Sequence, residues 1–118
     1  MRIKSILLGA LLLGLAAITL GQQVLNMYTA FDVDEAKIYI EAFQKRYPNI
    51  KVEYVRLSAG ELLARLRAEA GRPQASIWLA GPSDTFILAK ADGLLAPYKE
   101  SLGWQYLPAK FKDADGQW

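Results

Sequence analysis

A parallel α/β sheet with crossover helices is the fold class that the sequence predicts, and three observations predict it. Short apolar runs suited to strands alternate three times with longer stretches whose apolar residues recur three and four apart. The longer stretches open on small, hydroxyl or acidic residues and close on proline or glycine. The resulting order, strand then helix three times over, joins parallel strands through helices that cross the sheet, and such crossovers are right-handed almost without exception.

The first strand is Val24-Leu25-Asn26-Met27-Tyr28. Asp32 and Glu35 then give a helix start with an acidic first turn. Ala36, Tyr39, Ile40, Phe43 and Tyr47 form one face of that helix, and Pro48 stops it. Ile50 to Arg56 is the second strand, with Ile50, Val52 and Tyr54 alternating. Ser58-Ala59-Gly60-Glu61 is a capping-box pattern. Leu62, Leu63, Leu66 and Ala70 form the apolar face behind it, and Gly71 with Pro73 is expected to end this helix. Ser76 to Ala80 is the third strand, with Trp78 expected in the core. Gly81-Pro82-Ser83 is a turn in which Ser83 is expected to cap a third helix that runs to Ala91, and Gly93 closes it. Beyond Pro97 the pattern weakens. Tyr98, Trp104, Tyr106, Leu107 and Phe111 are expected to pin a loop-rich segment to the domain. Asp115-Gly116 is a turn signal, and Gln117-Trp118 reads as the start of another strand, so the chain is expected to be truncated.

Ahead of these elements, Arg2 and Lys4 precede an uncharged apolar run from Ile6 to Leu20, and polarity returns at Gln22 and Gln23. A basic start, an apolar stretch and a small-residue exit describe a secretory signal peptide, residues 1–21, cleaved after Gly21. The run is shorter than the roughly 20 residues of a spanning helix. Export to a periplasmic or extracellular location follows, with residues 22–118 forming part of one α/β lobe. Arg2 and Lys4 account for the excess of 14 basic over 12 acidic residues, so the remainder is balanced and no nucleic-acid surface is indicated. With no cysteine, this portion offers no disulfide, no thiolate metal site and no lipid anchor on cysteine; with no histidine, neither a Ser-His-Asp triad nor histidine ligation can come from it.

In an open α/β sheet, ligands bind beyond the carboxyl ends of the strands. Three strand-to-helix corners fall there: Thr29-Ala30-Phe31-Asp32, Leu57-Ser58-Ala59-Gly60 and Ala80-Gly81-Pro82-Ser83. Each precedes a helix whose unpaired backbone N–H groups and positive dipole end favour an anion. Thr29, Ser58 and Ser83 are expected to add hydroxyls, and Gly60 and Gly81 to allow close backbone approach. Ser58 and Ser83 equally well serve only as caps. Phe31 either stacks on a ligand or packs locally. Asp32 and Asp34 either ligate a hard cation or stabilise a helix start. Gly81 belongs to no phosphate-loop motif.

Several phrases are similar to the N-terminal lobe of type II periplasmic solute-binding proteins, in the group that includes ferric-iron and 2-aminoethylphosphonate binders. They are Tyr28-Thr29-Ala30, Ala42 to Val52, Ser58-Ala59-Gly60-Glu61-Leu62, Pro73-Gln74-Ala75, Gly93-Leu94-Leu95-Ala96-Pro97-Tyr98, and Phe111-Lys112-Asp113 with Asp115, Gly116 and Trp118. The resemblance implies two α/β lobes that close on a ligand, a monomer at full length, and delivery to the membrane permease of an ABC importer. It implies no cofactor, although ferric iron is a transported ligand in part of the group. It places Thr29, Ala30, Phe31 and Asp32, Ser58, Ala59 and Gly60, and Gly81, Pro82 and Ser83 in the ligand wall. Two positions depart from the pattern. Asp32 stands where iron-binding relatives often carry histidine, and Ser76 stands where relatives often carry aspartate. The paired tyrosines of iron binders belong to the second lobe. The alternatives are an enzyme or sensory domain on a similar two-lobed fold, or a half-lobe without function of its own. An enzyme needs a positioned acid, base or nucleophile, and this portion shows none.

Overall fold

The computed structural model describes residues 21–118. The expected signal peptide, apart from Gly21, lies outside the described residues. Within them the order is β1 (Gln23–Thr29), α1 (Val33–Arg46), β2 (Ile50–Arg56), α2 (Ala59–Ala68), β3 (Ile77–Leu79) and α3 (Ser83–Ala91), followed by two 3₁₀ turns, Trp104–Tyr106 and Ala109–Phe111. The strands form one parallel sheet in the order β2-β1-β3. The chain steps from β1 to one side, then passes back over β1 to the other. That reversal sets the switch point between β1 and β3.

The sheet is covered on both faces, as strand alternation requires. Leu25, Met27, Val52, Ile77 and Leu79 share an apolar groove with Tyr39, Ile40 and Phe43 of α1. Tyr28, one residue out of step, faces α2. Its hydroxyl donates to the Glu69 carboxylate (2.7 and 2.8 Å) and accepts from Arg65 Nε at 2.9 Å. Burial, then the bond to Glu69, holds the Tyr28 phenol above its ordinary range. Trp78 lies beside Tyr28 in register and packs on Phe86 of α3, with ring centroids 4.4 Å apart. Trp78 is half-buried rather than fully enclosed. The buried apolar core is Met27, Tyr28, Ala36, Leu62, Leu63 and Ala89.

Helix ends follow local chemistry more closely than the apolar period. Ser58 Oγ accepts from Glu61 N at 3.4 Å and Glu61 Oε2 accepts from Ser58 N at 2.9 Å, completing the capping box. Gly93, at φ +70°, closes α3 with a paired motif: Gly93 N donates to Lys90 O and Leu94 N to Ala89 O, both at 2.9 Å. Two expectations fail. α2 ends at Ala68, before Gly71, so Ala70 is an exposed turn residue and not part of the helix face. The α2 end is fixed instead by Glu69, whose carboxylate is drawn to Tyr28. Ser83 does not cap α3: Pro82 takes the cap position, Ser83 is the first helical residue, and the Thr85 hydroxyl donates to Pro82 O at 2.7 Å.

The segment after Pro97 is held differently from expectation. Tyr98, Tyr106, Leu107 and Phe111 are exposed, and only Trp104 is half-buried, under Lys112. Polar bonds anchor the segment instead. Lys90 Nζ lies 2.6 Å from both Asp113 and Asp115, Tyr98 N donates to Gly116 O, and Gln117 Nε2 donates to Leu95 O. Residues 117 and 118 form no strand; Trp118 O accepts from Asp113 N. The Lys90 bond, helped by the Gln117 N–H and opposed by burial, leaves the Asp113 carboxyl below its usual value of 3.8. Asp113 and Asp115 raise the Lys90 ammonium above its usual 10.5. The carboxylate contribution is therefore present above 3.8 and fades as pH falls through the lowered folded value. The ammonium contribution is present below 10.5 and fades as pH rises through the raised one. Tryptophan emission should stay constant between those limits and change outside them, and Lys90→Met should abolish both limbs.

Candidate functional site

The parallel register brings the three corners to one edge of the sheet. Thr29, the last residue of the central strand, pairs with Arg56 on one side and Leu79 on the other. The ladder runs one step further: Leu57 N donates to Thr29 O at 3.2 Å, and Ala30 N to Leu79 O at 3.4 Å. Thr29-Ala30-Phe31-Asp32 therefore stands between Leu57-Ser58-Ala59-Gly60 and Ala80-Gly81-Pro82-Ser83, at the switch point where an α/β sheet opens a crevice.

Side chains of the first two corners make contacts within the protein. The Thr29 hydroxyl is buried and accepts from Phe31 N at 3.1 Å. The Phe31 ring stacks on Tyr39 of α1, centroids 5.2 Å apart and nearly parallel, which is the local packing alternative. Asp32 takes the cap position of α1 without a side-chain cap bond and instead pairs with Arg56 at 2.9 Å. The Ser58 hydroxyl donates to Glu61 Oε2 at 2.6 Å. That bond and the Ser58 N–H keep the Glu61 carboxyl below its usual range. Both hydroxyls thus bond to groups close in sequence, Thr29 to the Phe31 N–H and Ser58 to Glu61, which for Ser58 is the capping alternative.

What the edge does present is backbone. Among the described residues, the N–H groups of Val33 and Asp34, Ala59 and Gly60, and Ser83 and Asp84 have no hydrogen-bond partner, as expected for the first positions of α1, α2 and α3. Together with the three dipole ends they form a set of fixed donors suited to an anion. Glycine has a specific role at Gly81: its φ is +155°, and a Cβ there would lie 3.3 Å from the Phe86 ring and 3.4 Å from Thr85 Oγ1.

Ala80 adopts φ +71°, a left-handed conformation that costs an L-residue roughly 1–2 kcal/mol. Its place at the third corner matches the tendency of strain to collect at functional edges. Ala80→Gly should raise the free energy of unfolding by about 0.5–1 kcal/mol, and Ala80→Val should lower it, as read by urea denaturation.

Arg56 is the residue that sequence reading missed at this edge. Its Nε donates to Phe31 O at 3.2 Å and its Nη2 to Asp32 Oδ1 at 2.9 Å, so it ties the end of β2 to the first corner. Its position as the final residue of the second strand was the available signal. Among the described residues, no group of three or more Asp, Glu, His or Cys side chains could hold a metal ion. An open depression of ≈ 350 Å³ lies at the opposite end of the sheet, around Gln23, Tyr47 and Ile50. The apolar groove under α1 (≈ 240 Å³) contains no corner residue.

Comparison with known proteins agrees with this geometry. Over 75 residues the chain is 36% identical to the probable ABC transporter periplasmic-binding protein y4fP of Sinorhizobium fredii, covering 64% of this chain and 21% of that protein. The ferric binding protein from Campylobacter jejuni superposes with a TM-score of 0.71 at 29% identity, over 78% of this chain and 29% of that one. The periplasmic binding protein AfuA from Actinobacillus pleuropneumoniae, solved with exogenous fructose-6-phosphate bound, gives 0.69 at 26% identity, over 75% and 27%. The chain therefore spans less than a third of the length of each of these relatives. The sequence profile described as "Bacterial extracellular solute-binding protein" matches residues 33–115, which is more than half of the chain. By fold, corner geometry and this match, the chain belongs to the family of bacterial extracellular solute-binding proteins.

Proposed function

We propose that the protein is the solute-binding component of an ABC importer, which captures ferric iron or a small anionic solute such as a phosphonate outside the cytoplasm and passes it to a membrane permease. The observation that carries this reading is the alignment of three helix starts at one sheet edge, set by the register of Thr29 with Arg56 and Leu79. In this reading Thr29 to Asp32, Ser58 to Gly60 and Gly81 to Ser83 form one wall of the ligand cleft, mostly through backbone N–H groups. A second lobe supplies the other wall. Closure of the two lobes is the signal that the permease reads. The work of the site is binding, with no cofactor and no bond broken, and the full-length protein acts as a monomer in the periplasm.

The relatives support the reading by what they are: a probable ABC transporter periplasmic-binding protein, a ferric binding protein, and a periplasmic binding protein with a sugar phosphate bound. Exposed apolar residues such as Ile38, Ile87 and Leu88 are consistent with surfaces that the remainder of a longer protein covers. Isothermal titration of the full-length protein tests it, with inorganic phosphate, methylphosphonate, glucose 6-phosphate and ferric citrate as probes. Saturable binding of at least one probe at micromolar concentration or below is expected. Absence of binding to all four would defeat the reading.

A further inference from the structure

We infer that Arg56 determines which charge the site accepts: its guanidinium recruits an oxyanion by exchanging the Asp32 carboxylate for the ligand. The inference rests on the site proposed above. It narrows the ligand to one bearing a phosphate- or phosphonate-type group rather than a bare ferric ion.

Arg56 is the register partner of Thr29, so its side chain starts between the first and second corners. Of the five N–H donors of a guanidinium, one goes to Phe31 O and one to Asp32 Oδ1, leaving three. The two bonds differ in permanence. Phe31 is fixed from three sides: its N–H by Thr29 Oγ1, its carbonyl by Arg56, its ring by Tyr39. The contact with Phe31 therefore aims the guanidinium. Asp32, by contrast, has a side chain 87% exposed, against 45% for Arg56. Water screens a pair of that exposure, so it is held weakly.

An oxyanion arriving at this edge meets a planar guanidinium with free donors and, at the starts of α1 and α2, the unpaired N–H groups of Val33, Ala59 and Gly60. Asp32 has a single bond, to Nη2. The exchange therefore favours the ligand, and Asp32 acts as the competitor that occupies the empty site. Of the other carboxylates at the edge, Glu61 is held by Ser58 and Asp84 by the Thr85 N–H, while Asp34 is fully exposed, 4.0 Å from Lys37. Glu35, in the first turn of α1, adds a further negative charge. Once Asp32 has swung away, the guanidinium itself faces the ligand, and a group of opposite charge is preferred there to a trivalent cation.

Titration of the full-length protein and its variants with inorganic phosphate, methylphosphonate and glucose 6-phosphate tests the inference, with ferric ion donated from nitrilotriacetate as counter-probe. Arg56→Gln should weaken the best oxyanion by about thirtyfold or more, and Arg56→Lys by about tenfold, because lysine keeps the charge and loses the fork. Asp32→Asn, nearly isosteric, should strengthen binding by about three- to tenfold by removing the competitor. This opposite sign is not what a merely structural ion pair gives. If Arg56→Gln fails to fold, the direction of the Asp32→Asn change decides alone. Binding of an oxyanion by the natural protein, with Arg56→Gln and Asp32→Asn both within twofold of it, would overturn the inference and leave the proposed function standing. So would uptake of ferric ion with no oxyanion bound. Binding of none of the probes would remove both.

Discussion

Leu62→Ala should lower the free energy of unfolding by about 3 kcal/mol, within the 2–5 kcal/mol span of buried leucine truncations. Leu62 is 0% exposed and is the largest fully buried side chain among the described residues. It follows the capping box on α2, the helix that packs against both β1 and α3. A cavity there loosens three elements together. Two of them, β1 and α3, carry corners of the site, and α2 carries the third. The cost therefore combines the lost transfer energy with that of a cavity which the short surrounding elements cannot refill. The contrast is Ile38, 66% exposed on α1, where alanine should change stability by no more than about 0.5 kcal/mol. Urea denaturation of the full-length protein measures both. A Leu62→Ala loss below that of Ile38→Ala would refute this account of the core.

The second large effect is expected at Thr29→Val. Valine has the shape of threonine and suits a strand, so packing is kept while the hydroxyl is lost. Thr29 is fully buried, and its Oγ1 is the acceptor for Phe31 N. Without it a part-buried N–H is left unpaired, at a cost of about 1 kcal/mol, the low end of the penalty for a buried donor. The functional consequence should exceed the structural one. Phe31 is the residue through which Thr29, Arg56 and Tyr39 jointly hold the first corner, so its rotation misdirects the N–H groups that follow. Affinity for the best ligand should fall about tenfold, equivalent to 1.4 kcal/mol. Thr29→Ser, which restores the acceptor, should recover it. Equal affinities for the natural protein and Thr29→Val would show that the first corner is not part of the ligand wall.

These two positions also mark how far the sequence could be read. Leu62 was legible as core because it follows a capping box with the right apolar spacing, and the box forms as its four residues predict. The bounds of β2 and the end of α3 at Gly93 were likewise written locally, in alternation and in a glycine that turns left-handed. Thr29 was legible as a corner residue, yet not as a buried one whose hydroxyl is already taken. The same limit explains Ser83, displaced from its cap by Pro82, and Tyr98, Tyr106 and Phe111, which stay exposed while Lys90 gathers Asp113 and Asp115.

The sequence by itself determined which segments are strands and helices, their order, and hence a parallel sheet with its three corners on one edge. Periodicity, caps and breakers act within a few residues and can be read along the chain. Only the tertiary structure decided that Arg56 reaches Phe31 and Asp32, 25 and 24 residues away, and that Tyr28 meets Arg65 and Glu69. Those contacts depend on strand register and on which face each helix covers, and a polar side chain within reach of several partners takes the one that register brings nearest.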